Sequence, residues 1–127
     1  MANNPDDIPI ANLSTTGISL VGLNGAGIIA AIGLLGVKDI QVCILKIAAG
    51  LFLLGILAAM AAWVSNEWAQ IRLADGAIDV AQGDKSRVGQ TLSEVRNYRA
   101  IAHRACIGGA LLFVVGAIGT SIAALFV

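Results

Sequence analysis

Charge is scarce in this chain. Only 13% of its 127 residues are Asp, Glu, Lys or Arg, against roughly a quarter in an ordinary soluble domain. A soluble domain of this size needs more charge than that to cover its surface. Histidine occurs once, as His103. A lone imidazole with no second His and no carboxylate at ligand spacing gives no metal-type cluster, and no Ser–His–Asp grouping can be assembled around it. Cysteine occurs twice, as Cys43 and Cys106, which excludes a disulfide framework and a thiolate cluster. The two prolines, Pro5 and Pro9, sit at the front, so none interrupts a helix beyond them. Eight basic and eight acidic side chains cancel, and no nucleic-acid partner is expected.

What is abundant is apolar sequence, 57% of the chain. It lies in uncharged runs. No Asp, Glu, Lys, Arg or His occurs between Pro9 and Val37, between Ile47 and Asn66, or between Ala105 and Val127. Each run holds the roughly 20 residues that cross a bilayer. The first contains Gly25-Ala26-Gly27-Ile28-Ile29-Ala30, which fits the loose phosphate-loop spacing G-x-G-x-x-A. That loop needs a strand before it and an acidic residue at the end of a second strand. Asp39 comes too early, and another apolar run follows it. The stretch therefore reads as a glycine-rich membrane helix. Nor does it read as a signal peptide. Asp6 and Asp7 make its front acidic, Lys38 is the first basic side chain, and the apolar core is too long.

These runs predict an all-α integral membrane protein. Residues 1–16 form a polar tail in which Ser14, Thr15 or Thr16 caps the first helix. Residues 17–37 are the first span, and its many glycines allow a kink or a re-entrant path. Residues 38–64 are a Lys38–Asp39 turn and the second span, with Lys46 near enough to the turn to reach water. Residues 105–127 are the third span.

Residues 65–104 are the sizeable polar segment. Val64, Trp68, Ile71, Ala74, Ile78 and Ala81 recur at helical spacing, as do Val88, Leu92, Val95, Tyr98, Ala102 and Ala105. Both sets predict seams with coiled-coil spacing. Gln82–Ser86 lies between them. Gly83 suits a helix stop and Asp84 or Ser86 a helix start. The segment is expected to form an amphipathic helical hairpin that extends spans two and three, with its turn near 82–86. Its first arm carries Glu67, Asp75, Asp79 and Asp84 against Arg72. Its second carries Lys85, Arg87, Arg96, Arg99 and Arg104 against Glu94. The two arms are electrostatically complementary, and Trp68, Ile71, Ile78, Leu92, Val95, Tyr98, Arg96 and Arg99 are the expected hairpin contacts.

Six of the eight Lys and Arg residues fall in this hairpin. The positive-inside bias then places it in the cytoplasm, with the N-terminus also inside and the C-terminus outside. The expected location is a bacterial inner membrane. Trp63 and Trp68 fall where the second span leaves the bilayer, as interfacial aromatics do.

Little in the spans suggests chemistry. None has an ionisable group near its middle, which argues against an ion or proton pathway. Asn24 is the polar residue nearest the membrane centre. It either hydrogen-bonds across to another helix or sits in a wet crevice, and its expected role is helix packing. Small residues mark helix-packing faces: Gly22, Ala26 and Ala30 in span one, Gly55, Ala59 and Ala62 in span two, Gly109 and Gly116 in span three. There are more such faces than three helices need, so a homo-oligomer or a larger membrane assembly is expected. No catalytic residue, cofactor or metal is predicted. Asn66, Glu67, His103 and Arg104 are the one polar cluster that an enzyme could draw on.

"LNGAGIIAAIGLL", "LFLLGILAAMAAWVSNEWAQ" and "FVVGAIGTSIAAL" together resemble a set of small bacterial three-span membrane proteins. The resemblance covers most of the chain and implies no transferable function and no catalytic residue. The reading is a non-enzymatic accessory, scaffold or regulatory subunit. Its spans would pack into an assembly, and residues 65–104 would meet a cytoplasmic protein. The alternative is a self-assembling, holin-like pore. Against the pore, the chain ends in Ala-Leu-Phe-Val instead of a basic tail, and the spans offer few polar side chains to line water.

Overall fold

A computed structural model describes residues 10–37 and 42–125, with side chains from residue 14 onward. Three helices account for nearly all of them: α1 (Ile10–Leu35), α2 (Val42–Ala81) and α3 (Val88–Leu125). Each is long and apolar enough to cross a membrane. At 1.5 Å per residue they run about 39, 60 and 57 Å, against roughly 30 Å of bilayer hydrocarbon. The excess in α2 and α3 is the projecting hairpin. Residues 1–9 of the expected polar tail, the Lys38–Asp39 turn and the last two residues lie outside the described residues, and residues 10–16 of that tail are helical.

α1 starts at Ile10, ahead of the Ser14–Thr16 cap that the sequence suggests. From there to Leu35 it is one helical element, with neither a break nor a re-entrant turn. Glycine costs about 1 kcal/mol in a helix in water. Where no water can bond a freed peptide group, breaking the backbone ladder costs more.

α2 is the central helix. α3 packs antiparallel along it, and α1 docks mainly on α2 and less on α3. The buried face of α2 is Leu45, Ala48, Phe52, Gly55, Ala59, Ala62, Asn66 and Ala69. That of α3 is Val95, Ala102, Cys106, Gly109, Gly116 and Ala123. Most of these side chains are small, so the backbones come close. A methyl on Gly109 would stand 3.3 Å from the Gly55 carbonyl oxygen. Phe52 is the large exception. It wedges between Gly27 of α1 and Gly116 of α3, where added methyl groups would strike its ring. It meets Phe113 with ring centroids 5.9 Å apart. Leu20, Ala59, Ala62, Ala102 and Cys106 cluster on the hairpin side of this wedge. Ala31, Leu45 and Ala123 cluster on the far side.

The hairpin turn is closed by its own backbone. Gly83 sits at φ +88°. Its N–H donates to Val80 O and that of Asp84 donates to Asp79 O, each at 3.0 Å. These are the paired bonds of a Schellman stop, with glycine in the left-handed position it requires. Asp84 then accepts from the Ser86 hydroxyl at 2.6 Å and from the Ser86 N–H at 2.9 Å. Those bonds lower the Asp84 pKa, the hydroxyl bond most. Asp84 thus shapes the link, and Arg87 O accepts the first bond of α3, from Thr91 N–H.

The seam between the arms differs from the sequence expectation, most of all on α2. On α3, Val95 is buried and Tyr98 half-buried, while Leu92 is 55% exposed. On α2, Trp68 and Ile71 are 49% exposed and Ile78 55%. The inward line there is Ala62, Asn66 and Ala69, continuing to Gly76 against Thr91. At 100° per residue these two lines lie on nearly opposite faces. The arms keep the close backbone approach set inside the apolar layer, and only small side chains fit it.

Candidate functional site

Where the three helices meet, a polar group is buried. Asn24 of α1 is fully inaccessible. Gly55 of α2 gives it room, since a methyl there would overlap its carboxamide. Asn24 Nδ2 donates to Leu20 O at 2.9 Å, one turn back on α1, and reaches Gly109 O of α3 at 3.5 Å. Its Oδ1 has no hydrogen-bond partner among the described residues. The node ties α1 to α3 through a bond at the limit of hydrogen-bond length. Such a node can register helices. It holds no titratable group and moves no proton.

Asn66 is the second buried polar residue. It too is fully inaccessible, and neither amide atom has a partner among the described residues. It lies in the α2 seam between Ala62 and Ala69, at the start of the hairpin. The sequence pattern carries a signal for it, because Ala59, Ala62, Asn66 and Ala69 continue the small-residue line out of span two. Thr120 and Ser121 satisfy their hydroxyls locally, donating to Gly116 O at 2.9 Å and Ala117 O at 2.8 Å.

Two grooves mark the surface. One, about 330 Å³, lies between the hairpin arms and is lined by Arg72, Asp75, Asp79, Arg87, Gln90, Thr91 and Glu94. Arg72 Nε and Glu94 Oε2 pair across it at 3.4 Å. The other, about 260 Å³, is apolar. It lies between α1 and α3 over Phe52, lined by Leu23, Ala26, Gly27, Ala30, Phe113, Ala117 and Thr120.

The expected packing residues divide between these places. Asn24, Gly55 and Gly109 come together in the node. Ala59 and Ala62 join the hairpin-side cluster, and Gly116 backs Phe52. Gly22, Ala26 and Ala30 lie on an exposed face of α1, with Ala26 and Ala30 walling the apolar groove. In the hairpin, Trp68, Ile71, Ile78, Leu92 and Arg96 are exposed, Tyr98 and Arg99 half-buried and Val95 buried. Asn66 is buried while Glu67 is half-buried and His103 and Arg104 exposed, so the four do not share one environment. Cys43 is exposed and Cys106 buried, both as free thiols. Among the described residues no group of three His, Cys, Asp or Glu could hold a metal. Comparison of the chain with known protein families, with curated proteins and with solved structures finds no match in any of the three.

Proposed function

We propose that this chain is a non-enzymatic subunit of a bacterial inner-membrane assembly, acting as an accessory, scaffold or regulatory protein. Its hairpin faces the cytoplasm and docks a protein partner there, while its spans pack against other membrane helices. The observation that carries this reading is the outward face of the first hairpin arm. Trp68, Ile71 and Ile78 recur along it at 49%, 49% and 55% exposure, beyond the end of the uncharged run. Large apolar side chains aligned on a face that water would otherwise wet mark an interaction surface. The exposed small-residue face of α1 (Gly22, Ala26, Ala30) offers a second contact, of the kind membrane helices use to approach closely.

The test is purification of the tagged chain from native membranes in mild detergent, with stoichiometry by native mass spectrometry. A partner at fixed ratio is expected, and it should be lost from an Ile71→Glu/Ile78→Glu variant that keeps its helix content. A large homo-oligomer with no second protein would instead favour the pore.

A further inference from the structure

α1 covers one stripe of α3 and leaves its upper end open. Leu92, Arg99, Cys106 and Phe113 recur every seven residues, which keeps them near one face of the helix. Lower down, α1 covers that face. Cys106 clusters with Leu20, and Phe113 lines the groove between α1 and α3. Arg99 is half-buried and already engaged. Leu92, at the top of the stripe, is 55% exposed. α1 and α3 run in the same direction, since Leu20 packs at Ala102 and Cys106 and Asn24 reaches Gly109. Ile10 lies ten residues before Leu20, a rise of about 15 Å. The same step back from Ala102 and Cys106 leads to Leu92 and Arg96. α1 therefore begins level with them.

This face of α3 is also basic. At 100° per residue, Arg96 and His103 fall within about 40° of Leu92, while Glu94 falls about 160° away. Glu94 lies instead with Arg72, Asp75, Asp79 and Arg87 on the groove between the arms, where acids and bases meet. Arg96 and His103 are exposed, and neither side chain has a charged partner among the described residues. Counting back from the Gly55–Gly109 contact, the α2 acid at this level is Glu67, half-buried. α1 itself carries no charge. The charges that precede it are Asp7 and Asp6, three and four residues before Ile10, in a segment without Lys or Arg. Three or four extended residues reach about 10–14 Å, which brings both carboxylates to Arg96.

We propose that residues 1–9 dock back on the hairpin, on the face of α3 that α1 covers lower down, with Asp6 and Asp7 beside Arg96 and Ile8 against Leu92. Three features select this occupant. The face continues an interface that α1 already makes, its charge is opposite to that of the segment, and the segment starts beside it. Docking covers an apolar side chain and neutralises a basic strip, so the segment straps the start of α1 to the hairpin. The surface is on α3, apart from Trp68, Ile71 and Ile78 of α2, so the strap and the docking of a protein partner can fail separately.

The experiment places the photo-crosslinking residue benzoylphenylalanine at position 8 of the full chain in mild detergent. Isotopically heavy and light protein are mixed, and cross-links are mapped by mass spectrometry. Cross-links within one chain to residues 88–96 are expected. A surface ion pair contributes up to about fivefold to such an equilibrium, so Arg96→Glu should lower the yield about two- to fivefold with helix content unchanged. Adding Asp6→Lys/Asp7→Lys to it should restore most of the yield, and Leu92→Ser alone should lower it. Cross-links spread evenly over α2 and α3, or a yield insensitive to Arg96→Glu, overturn the proposal, because a tether alone would give both. Cross-links that join heavy to light chains overturn it too, since the occupant would then be a second copy.

Discussion

Gly55→Ala tests whether Asn24 is seated as described. A methyl carbon on Gly55 would lie 2.6 Å from Asn24 Cγ, where carbon atoms in contact prefer about 3.5–4.0 Å. The overlap is close to 1 Å, and the obstacle is a buried group between three backbones. Overpacking of this kind costs about 1–3 kcal/mol. Asn24→Ala alone should cost less. It removes the local 2.9 Å bond to Leu20 O and the 3.5 Å interhelical bond to Gly109 O, the latter of a class averaging about 0.6 kcal/mol in membrane proteins. It also removes a buried oxygen that has no partner among the described residues and leaves a small cavity. In the double variant the new methyl enters the space the carboxamide vacates. The two changes should then be non-additive, with the pair more stable than the sum of the singles by about 1–3 kcal/mol. The assay is reversible unfolding in detergent, followed by energy transfer between labels on α1 and α3. Additive losses within about 0.5 kcal/mol would refute the node as the point where the helices interlock.

Phe52→Ala should be the most damaging single truncation, at about 3–5 kcal/mol, because the ring fills space that Gly27 and Gly116 leave open; detergent unfolding measures it, and a loss under about 1 kcal/mol would contradict the wedge. Gly83→Ala should destabilise the hairpin turn by about 1 kcal/mol, since φ +88° is strained for a residue with a side chain; faster proteolysis between Gly83 and Gly89 is the readout. The Asp84 bonds to Ser86 stabilise the turn only while the carboxylate is ionised. Its folded pKa lies below its ordinary value of 3.8, so that contribution is complete above pH 3.8 and disappears as pH falls through the lowered folded value. Exchange of the Ser86 amide against pH should follow that course, and an exchange rate insensitive to Asp84→Asn in acid and neutral buffer alike would rule it out.

The helices were legible because bilayer length and missing charge act on each segment alone. The turn was legible for a similar reason, since Gly83 and Asp84 do their work within a few residues. Which face of each arm turns inward was less so. A rule that large apolar side chains face inward picks Trp68, Ile71 and Ile78. It fits helices that meet in water, where burial drives packing. α2 leaves the apolar layer already packed through Gly55, Ala59 and Ala62, and a helix cannot rotate within two turns, so Asn66 and Ala69 inherit the inward face. The Asn24 node was half legible. A polar residue in an apolar run asks for a partner, yet the period of one helix does not say which residue of another lies at its level. Phe52 was hidden because an apolar residue in an apolar run carries no contrast.

Folding the hairpin also changes what its charge sorting means. Along the sequence the sorting lies between arms, acidic then basic. The cross-arm pair, Arg72 with Glu94, uses the minority charge of each. Both partners are partly exposed, so it contributes at most about 1 kcal/mol and does not hold the arms together. Its consequence lies in placement. Toward the turn, Asp75, Asp79, Asp84 and Glu94 stand against Arg72, Lys85 and Arg87, four acids to three bases. Toward the membrane, Arg96, Arg99 and Arg104 stand against Glu67, three bases to one acid. Once the arms are antiparallel, the sorting therefore runs along the hairpin, from a nearly neutral tip to a positive base. Field from that base falls off within a Debye length of about 8 Å at physiological salt. It acts on whatever lies at the bilayer surface and barely on a partner at the tip. Under the proposed docking, contact toward the tip would then rest on shape and on Ile78, while charge acts at the end nearest the apolar spans.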